Sequence, residues 1–135
     1  ASVWTETVHA QSDILWEDAA TYAQAAQKAF GVPADYTQAG SSTAGIAFQA
    51  ALQTVNAPPP LSESDREALV KALEKLDIQT FYGRLKFAEE GEFYHANIGL
   101  TPLTVQIQNG IVVIVGPEAD AEAKLLFPMV PWKER

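Results

Sequence analysis

The stretch Asp35–Leu52, reading DYTQAGSSTAGIAFQAAL, constrains this chain most, because it reads as an extended entry to a helix that opens in four small residues, Gly40, Ser41, Ser42 and Thr43. Beyond them Ala44, Ala47 and Ala51 recur at three- and four-residue spacing, with Phe48, Leu52 and Val55 beside them. A helix with so small a stripe can bring its backbone close to a sheet, which predicts a core element of an α/β fold. Its first turn has two open uses. Ser41 or Ser42 can cap the helix, or the free N–H groups of the turn, next to three hydroxyls, can receive an anionic group such as a carboxylate. Ser41, Ser42 and Thr43 are on that account candidate ligand-binding residues.

Residues 2–9, SVWTETVH, carry β-branched and aromatic residues in partial alternation and predict a strand running into a polar loop, Ala10 to Asp13. A helix follows, capped by Ser12 or Asp13, with Glu17 and Asp18 at the positive end of its dipole. Ala19, Tyr22, Ala23, Ala26 and Phe30 form its buried stripe, and Gly31 with Pro33 stops it. The helix of the 35–52 stretch runs on to about Val55, where Asn56-Ala57-Pro58-Pro59-Pro60 makes a stiff, extended connector. Ser64 and Glu67 then stand at capping-box spacing, ahead of an apolar face of Ala68, Leu69, Ala72, Leu73 and Leu76.

From Thr80 the period changes. FYGRLKF, with Phe81, Leu85 and Phe87 inward, predicts one strand ending in the acidic turn Ala88-Glu89-Glu90-Gly91, and residues 92–102 read as irregular. LTVQIQ, Asn109-Gly110 and IVVIV predict a hairpin, since Asn-Gly accepts the positive φ angles of a type I′ turn. Its first arm sets Leu103, Val105 and Ile107 against Thr104, Gln106 and Gln108, whereas Ile111 to Val115 is apolar throughout and expects cover on both faces. A short helix around Ala119–Lys124 and a proline-rich tail, LLFPMVPWKER, follow.

At 135 residues and 47% hydrophobic composition the chain can fill the core of one ordinary domain. No apolar run approaches the roughly 20 residues of a membrane span, and no basic start leads into an apolar core as in a secretory signal. The first residue is Ala1 rather than methionine, which suits a mature or cut product. Net charge is −8, and the bases, among them Lys28, Arg66, Lys86 and Lys124, are scattered rather than striped, so nucleic acid is not an expected partner. With no cysteine there is no disulfide and no thiolate site.

His9 and the polar residues Gln11 and Ser12 follow a predicted strand, a place from which α/β folds reach their ligands; they are candidate ligand contacts, and equally an ordinary surface. Trp4 and Trp16 can stack on a ligand or simply pack. His9 and His95 lie far apart with no HxxH or HExxH spacing, so no metal site is expected, and no cofactor. Gly-x-Ser-x-Gly, paired carboxylates and a Walker loop are all missing. The reading is that of a protein that is not an enzyme.

Three stretches taken in order carry a resemblance: DYTQAGSSTAGIAFQAAL, LVKALEKLDIQTFYGRLKFAEEGE and VQIQNGIVVIVGPEADAEAKLLFPMVPWKER. Together they resemble the C-terminal part of the type I periplasmic binding proteins, the substrate-binding components of branched-chain amino-acid ABC transporters. Members have a Tyr-containing entry with an alanine-rich helix, a Thr-Phe-x-Gly step with an Asp-x-x-Gly-like turn, and a tail like the one holding Phe127, Pro128, Pro131, Trp132 and Arg135. Ser42 departs from the pattern, standing where members often carry a tyrosine near the cleft, and the triple proline replaces a Gly-Ser-containing turn.

The resemblance implies the C-terminal portion of a two-lobed α/β fold, incomplete as a single chain. Residues 1–34 would belong to the second lobe, 35–100 to the first, and the hairpin and tail of 101–135 to the second again. It implies a periplasmic protein, or one on the outer face of the cytoplasmic membrane, that binds a branched-chain amino acid or related small carboxylate and delivers it to an ABC permease; the smaller Ser42 leaves room for an aromatic carboxylate. Rival readings are a ligand-sensing regulatory domain on the same fold, or a small α/β enzyme with His9 or His95 as general base. The chain alone would leave apolar faces uncovered, which predicts an intertwined homo-oligomer or association with the missing N-terminal part.

Overall fold

The computed structural model describes residues 16 and 18–134, and these fall into two compact units, one ending at Thr101 and one running from Pro102. The predicted strand over residues 2–9, with Trp4, and the loop and caps at residues 10–13 lie outside the described residues. Among the described residues the fold is mixed α/β, with three α-helices and two small antiparallel sheets.

In the first unit α1 (Ala19–Phe30) begins later than Ser12 or Asp13 capping would have it. Asp18 is its N-cap, in extended backbone, and the Thr21 N–H donates to Asp18 Oδ1 at 2.7 Å. Gly31, at φ 73°, closes the helix in the left-handed region and donates its N–H to the Gln27 carbonyl. Ala19, Tyr22 and Ala26 are buried, but Phe30 is 74% exposed, one turn beyond the last residue that packs on the core.

Helix α2 (Tyr36–Val55) corrects the expected extended entry. Asp35 and Gln38 form a capping box, with the Gln38 N–H donating to Asp35 Oδ1 at 2.8 Å and the Asp35 N–H donating to Gln38 Oε1 at 3.4 Å. That box satisfies two terminal groups reciprocally, so the helix nucleates one turn before Gly40. Its buried stripe is Ala39, Thr43, Ile46, Ala47 and Ala51, while Ala44 and Phe48 face outward. The stripe is rotated from the expected one because Ala39 and Ile46 meet Tyr22 and Phe81 in one core.

The box that opens α3 (Glu63–Glu74) is Ser62 with Asp65 rather than Ser64 with Glu67. The Asp65 N–H donates to Ser62 Oγ at 3.2 Å and the Ser62 N–H to Asp65 Oδ2 at 2.9 Å. Both spacings occur in the sequence; the earlier start also sets Glu63 and Asp65 in the first turn, where the helix dipole favours acids. Leu69 and Leu76 are buried, Ala72 and Leu73 are half-buried, and Ala68 is exposed.

The single strand expected from Thr80 is a hairpin. β1 (Asp77–Thr80) pairs antiparallel with β2 (Gly83–Lys86) across a two-residue turn at Phe81 and Tyr82. Neither turn residue has positive φ; Gly83 does, at 128°, so the conformation that glycine tolerates sits just after the turn. Thr80 braces it, its hydroxyl donating to the Gly83 carbonyl at 2.7 Å and accepting from the Tyr82 N–H at 3.2 Å. Burying Phe81 completely, as here, is worth about 1.5–3 kcal/mol and fixes the hairpin on α1 and α2. Leu85, with Leu76 and Ala47, forms a second cluster that Phe87 flanks.

The segment after the acidic turn is laced to β2 rather than loose. Asn97 Oδ1 accepts the Lys86 N–H at 3.0 Å and the Gly99 N–H at 2.9 Å, and the Ile98 N–H donates to the Lys86 carbonyl at 2.8 Å.

In the second unit β3 (Thr104–Gln108) pairs with β4 (Ile111–Gly116) around Asn109 and Gly110, at φ 54° and 78°, as a type I′ turn requires. Leu103 is half-buried and Thr104 exposed as expected, but past the irregularity between Thr104 and Val105 the covered face is the reverse of the expected one. Ile107 is 71% exposed, while Gln106 and Gln108 are half-buried beneath the tail. In β4 Ile114 is buried, yet Ile111 is 62% exposed, so the expected double cover holds only in part. A single 3-10 turn, Glu118–Asp120, replaces the expected helix around 119–124. No described helix is long and apolar enough to cross a membrane.

Candidate functional site

Of the sequence candidates, His9, Gln11 and Ser12 lie outside the described residues. Ser41, Ser42 and Thr43 stand inside α2, past its first turn. The helix N-terminus that was to receive an anion already holds one, the Asp35 carboxylate. Each of the three hydroxyls has a partner. Ser41 Oγ donates to the Thr37 carbonyl at 3.0 Å, and buried Thr43 Oγ1 donates to the Ala39 carbonyl at 2.8 Å. Ser42 Oγ lies 3.0 Å from the Tyr22 hydroxyl.

Ser42 thereby borders an aromatic group. The Tyr22 ring stacks on Phe81 with centroids 4.2 Å apart, and Trp16 meets both edge-on at 5.1 and 5.7 Å. Trp16 is a packing residue here, half-buried against this core. Gly40 faces Tyr82, whose hydroxyl lies 3.8 Å from where a Cβ would be. The small residues of 40–43 let Tyr22 and Tyr82 approach the helix.

His95, which sequence spacing left alone, is joined to two groups. Its Nε2 lies 2.9 Å from Glu74 Oε1 at the end of α3, and the Tyr94 hydroxyl donates to the same oxygen at 2.7 Å. The Tyr94 and His95 rings stack at 3.7 Å, and His95 is held at φ 66°. The hydrogen bond from His95, then that from Tyr94, holds the Glu74 carboxyl below its usual range, against a smaller opposing effect of desolvation. The bond to Glu74 in turn pushes the Tyr94 phenol up. An ionised Glu74 carboxylate can only accept, so Nε2 is the donor in this pair. Glu74 and His95 are 21 residues apart, and no short motif links them; a Tyr-His pair in an otherwise irregular segment was the only trace in sequence. No group of three or more His, Asp or Glu side chains among the described residues is placed to hold a metal ion.

The second unit holds a groove of about 740 Å³ between hairpin and tail, walled by Val105, Ile107, Leu125, Met129 and Trp132, with Asn109 and Gly110 at the turn. Two glutamines secure the tail beside it. Gln106 Nε2 donates to the Leu126 carbonyl while the Leu126 N–H donates to Gln106 Oε1, both at 3.0 Å, so one side-chain amide replaces a neighbouring strand. Gln108 Nε2 donates to the Lys124 carbonyl at 2.9 Å and to Gln106 Oε1 at 2.8 Å. Glu122 acts alike on β4, accepting the Ile114 N–H at 3.0 Å and returning its own N–H to the Ile114 carbonyl at 2.8 Å.

No family model, no curated protein and no solved structure matches this chain.

Proposed function

We propose that the chain is part of an extracytoplasmic solute-binding protein of the type I periplasmic class. Its parent captures a branched-chain amino acid or a related small carboxylate, aromatic acids included, and delivers it to an ABC permease. The order of the three family-like stretches between Asp35 and Arg135 carries this reading. It is supported by exposed apolar side chains in both units, such as Phe48 at 47% and Ile98 at 53% in one and Phe127 at 85% and Ile107 at 71% in the other, as in a piece whose faces another part of the polypeptide covers. Work would be done by lobe closure, with ligand contacts favouring the closed state by their differential binding energy and no bond made or broken.

A thermal-shift screen of the full-length parent against amino acids and aromatic carboxylates tests it, since a ligand that binds only the native state raises its apparent stability. A dose-dependent rise with one such acid is expected; a flat response across the panel overturns the reading. The Glu74–His95 pair favours a second reading, a histidine general base, because a carboxylate at 2.9 Å from Nε2 orients the imidazole. Turnover in a hydrolase panel that vanishes in His95→Ala would establish that alternative.

A further inference from the structure

The chain has three asparagines, Asn56, Asn97 and Asn109, and the structure gives them unequal chemistry. Asn97 spends its side-chain amide on the Arg84 carbonyl and on the Lys86 and Gly99 N–H groups, while the following N–H, that of Ile98, is bound to the Lys86 carbonyl. Asn56 is followed by Ala57, whose methyl crowds the next nitrogen. Asn109 is exposed at the tip of the β3–β4 hairpin, and neither its side-chain amide nor the Gly110 N–H is bonded to any described residue. A Cβ on Gly110 would find nothing within 4 Å, so the space on that side of the glycine is open.

We propose that Asn109 is a site of spontaneous deamidation and isomerisation. The Gly110 nitrogen loses its proton to water or buffer base and attacks Asn109 Cγ. A new C–N bond closes a five-membered succinimide, the Cγ–Nδ2 bond breaks, and the amide nitrogen leaves as ammonia. Water then adds to either ring carbonyl and opens the ring to aspartate or isoaspartate; one water is consumed and one ammonia released, with no change of oxidation state. Closure needs rotation about ψ of Asn109, which no bond of the side-chain amide or of the Gly110 N–H opposes. Asn-Gly is chosen for this turn because both residues accept positive φ, and the same pair is the least hindered for ring closure.

Two consequences fall on the second unit. A carboxylate replaces a neutral amide at the rim of the 740 Å³ groove. Isoaspartate also adds a backbone carbon to a two-residue turn, which shifts the register that pairs Gln108 with Ile111. The groove of the aged protein is therefore more anionic and its hairpin looser.

Incubating the protein in warm, mildly alkaline buffer and mapping its peptides by mass spectrometry tests this, with isoaspartyl methyltransferase labelling to tell isoaspartate from aspartate. Deamidation several-fold faster at Asn109 than at Asn56 or Asn97, with isoaspartate in excess, is expected, and a several-fold slower reaction in Gly110→Ala. An unreacted Asn109, or equal rates at the three asparagines, overturns the proposal. So does conversion at Asn109 without isoaspartate, which would mean direct hydrolysis rather than a succinimide.

Discussion

Replacing Gly99 by alanine probes how closely the segment after the acidic turn is laid along β2. A Cβ there would stand 2.6 Å from the Arg84 carbonyl oxygen and 3.0 Å from the Lys86 nitrogen, main-chain atoms that no rotamer change can move. The segment has to retreat, and in doing so it strains the bonds of Asn97 Oδ1 to the Lys86 and Gly99 N–H groups and that of the Ile98 N–H to the Lys86 carbonyl. Overpacking costs about 1–3 kcal/mol, and each hydrogen bond lost a net of about 0.5–1.5 kcal/mol, so a destabilisation of about 2–4 kcal/mol is expected once overlap between the two is allowed for. Gly91→Ala is the control. Gly91 has φ 81° with nothing within 4 Å of a Cβ, so only the left-handed backbone is penalised, by about 1–2 kcal/mol. Urea unfolding followed by tryptophan fluorescence measures both, as a shift in midpoint at unchanged slope. A Gly99→Ala protein within about 0.5 kcal/mol of the original, the range of an inert surface change, or one less perturbed than Gly91→Ala, would refute the close approach.

Four further outcomes are expected. The Arg84 guanidinium, hydrogen-bonded to Asp77 at 2.7 and 2.8 Å, holds that carboxyl down at about 2 from 3.8; a depressed folded value stabilises above the unfolded one, so amide protection in β1 and β2 should fall as pH drops from 3.8 toward 2 and lose that dependence in Asp77→Asn. Gln106→Ala should free Leu126 from its two side-chain bonds and speed amide exchange there, at a cost of about 0.5–1.5 kcal/mol per bond. Tyr22→Phe should cost about 0.5–1.5 kcal/mol for the hydroxyl contact with Ser42, and Tyr22→Ala about 3–5 kcal/mol for the ring, both read by chemical denaturation. Ser42→Tyr should change the ligand profile of the full-length parent in calorimetry; an unchanged profile would remove Ser42 from the neighbourhood of the ligand.

Local signals decided what could be read from sequence. Asn109-Gly110 announced its hairpin because two adjacent positive φ angles leave few residue choices, and Gly31 announced the end of α1 because a left-handed C-cap favours glycine. The β1–β2 turn was hidden because its central residues are two aromatics and its glycine comes after them, so the run looked like one strand. In β3 the alternation was visible but its sense was not. Glutamines that pair with the tail backbone can be the covered face, and no periodicity reveals that. The start of α2 was a competition between two polar clusters, settled by the Asp35–Gln38 box. Of the candidate site, Ser42 was placed near aromatic side chains by the fold, whereas the Glu74–Tyr94–His95 group is joined only in three dimensions.

Lobe closure around a small amino acid is tested most directly by small-angle X-ray scattering of the full-length parent, free and saturated with the acid that gives the largest thermal shift. A two-lobed binding protein should contract on saturation, with a lower radius of gyration and ligand recovered unchanged. A bound acid that leaves the scattering curve where it was, or that is recovered as a reaction product, would contradict the binding role.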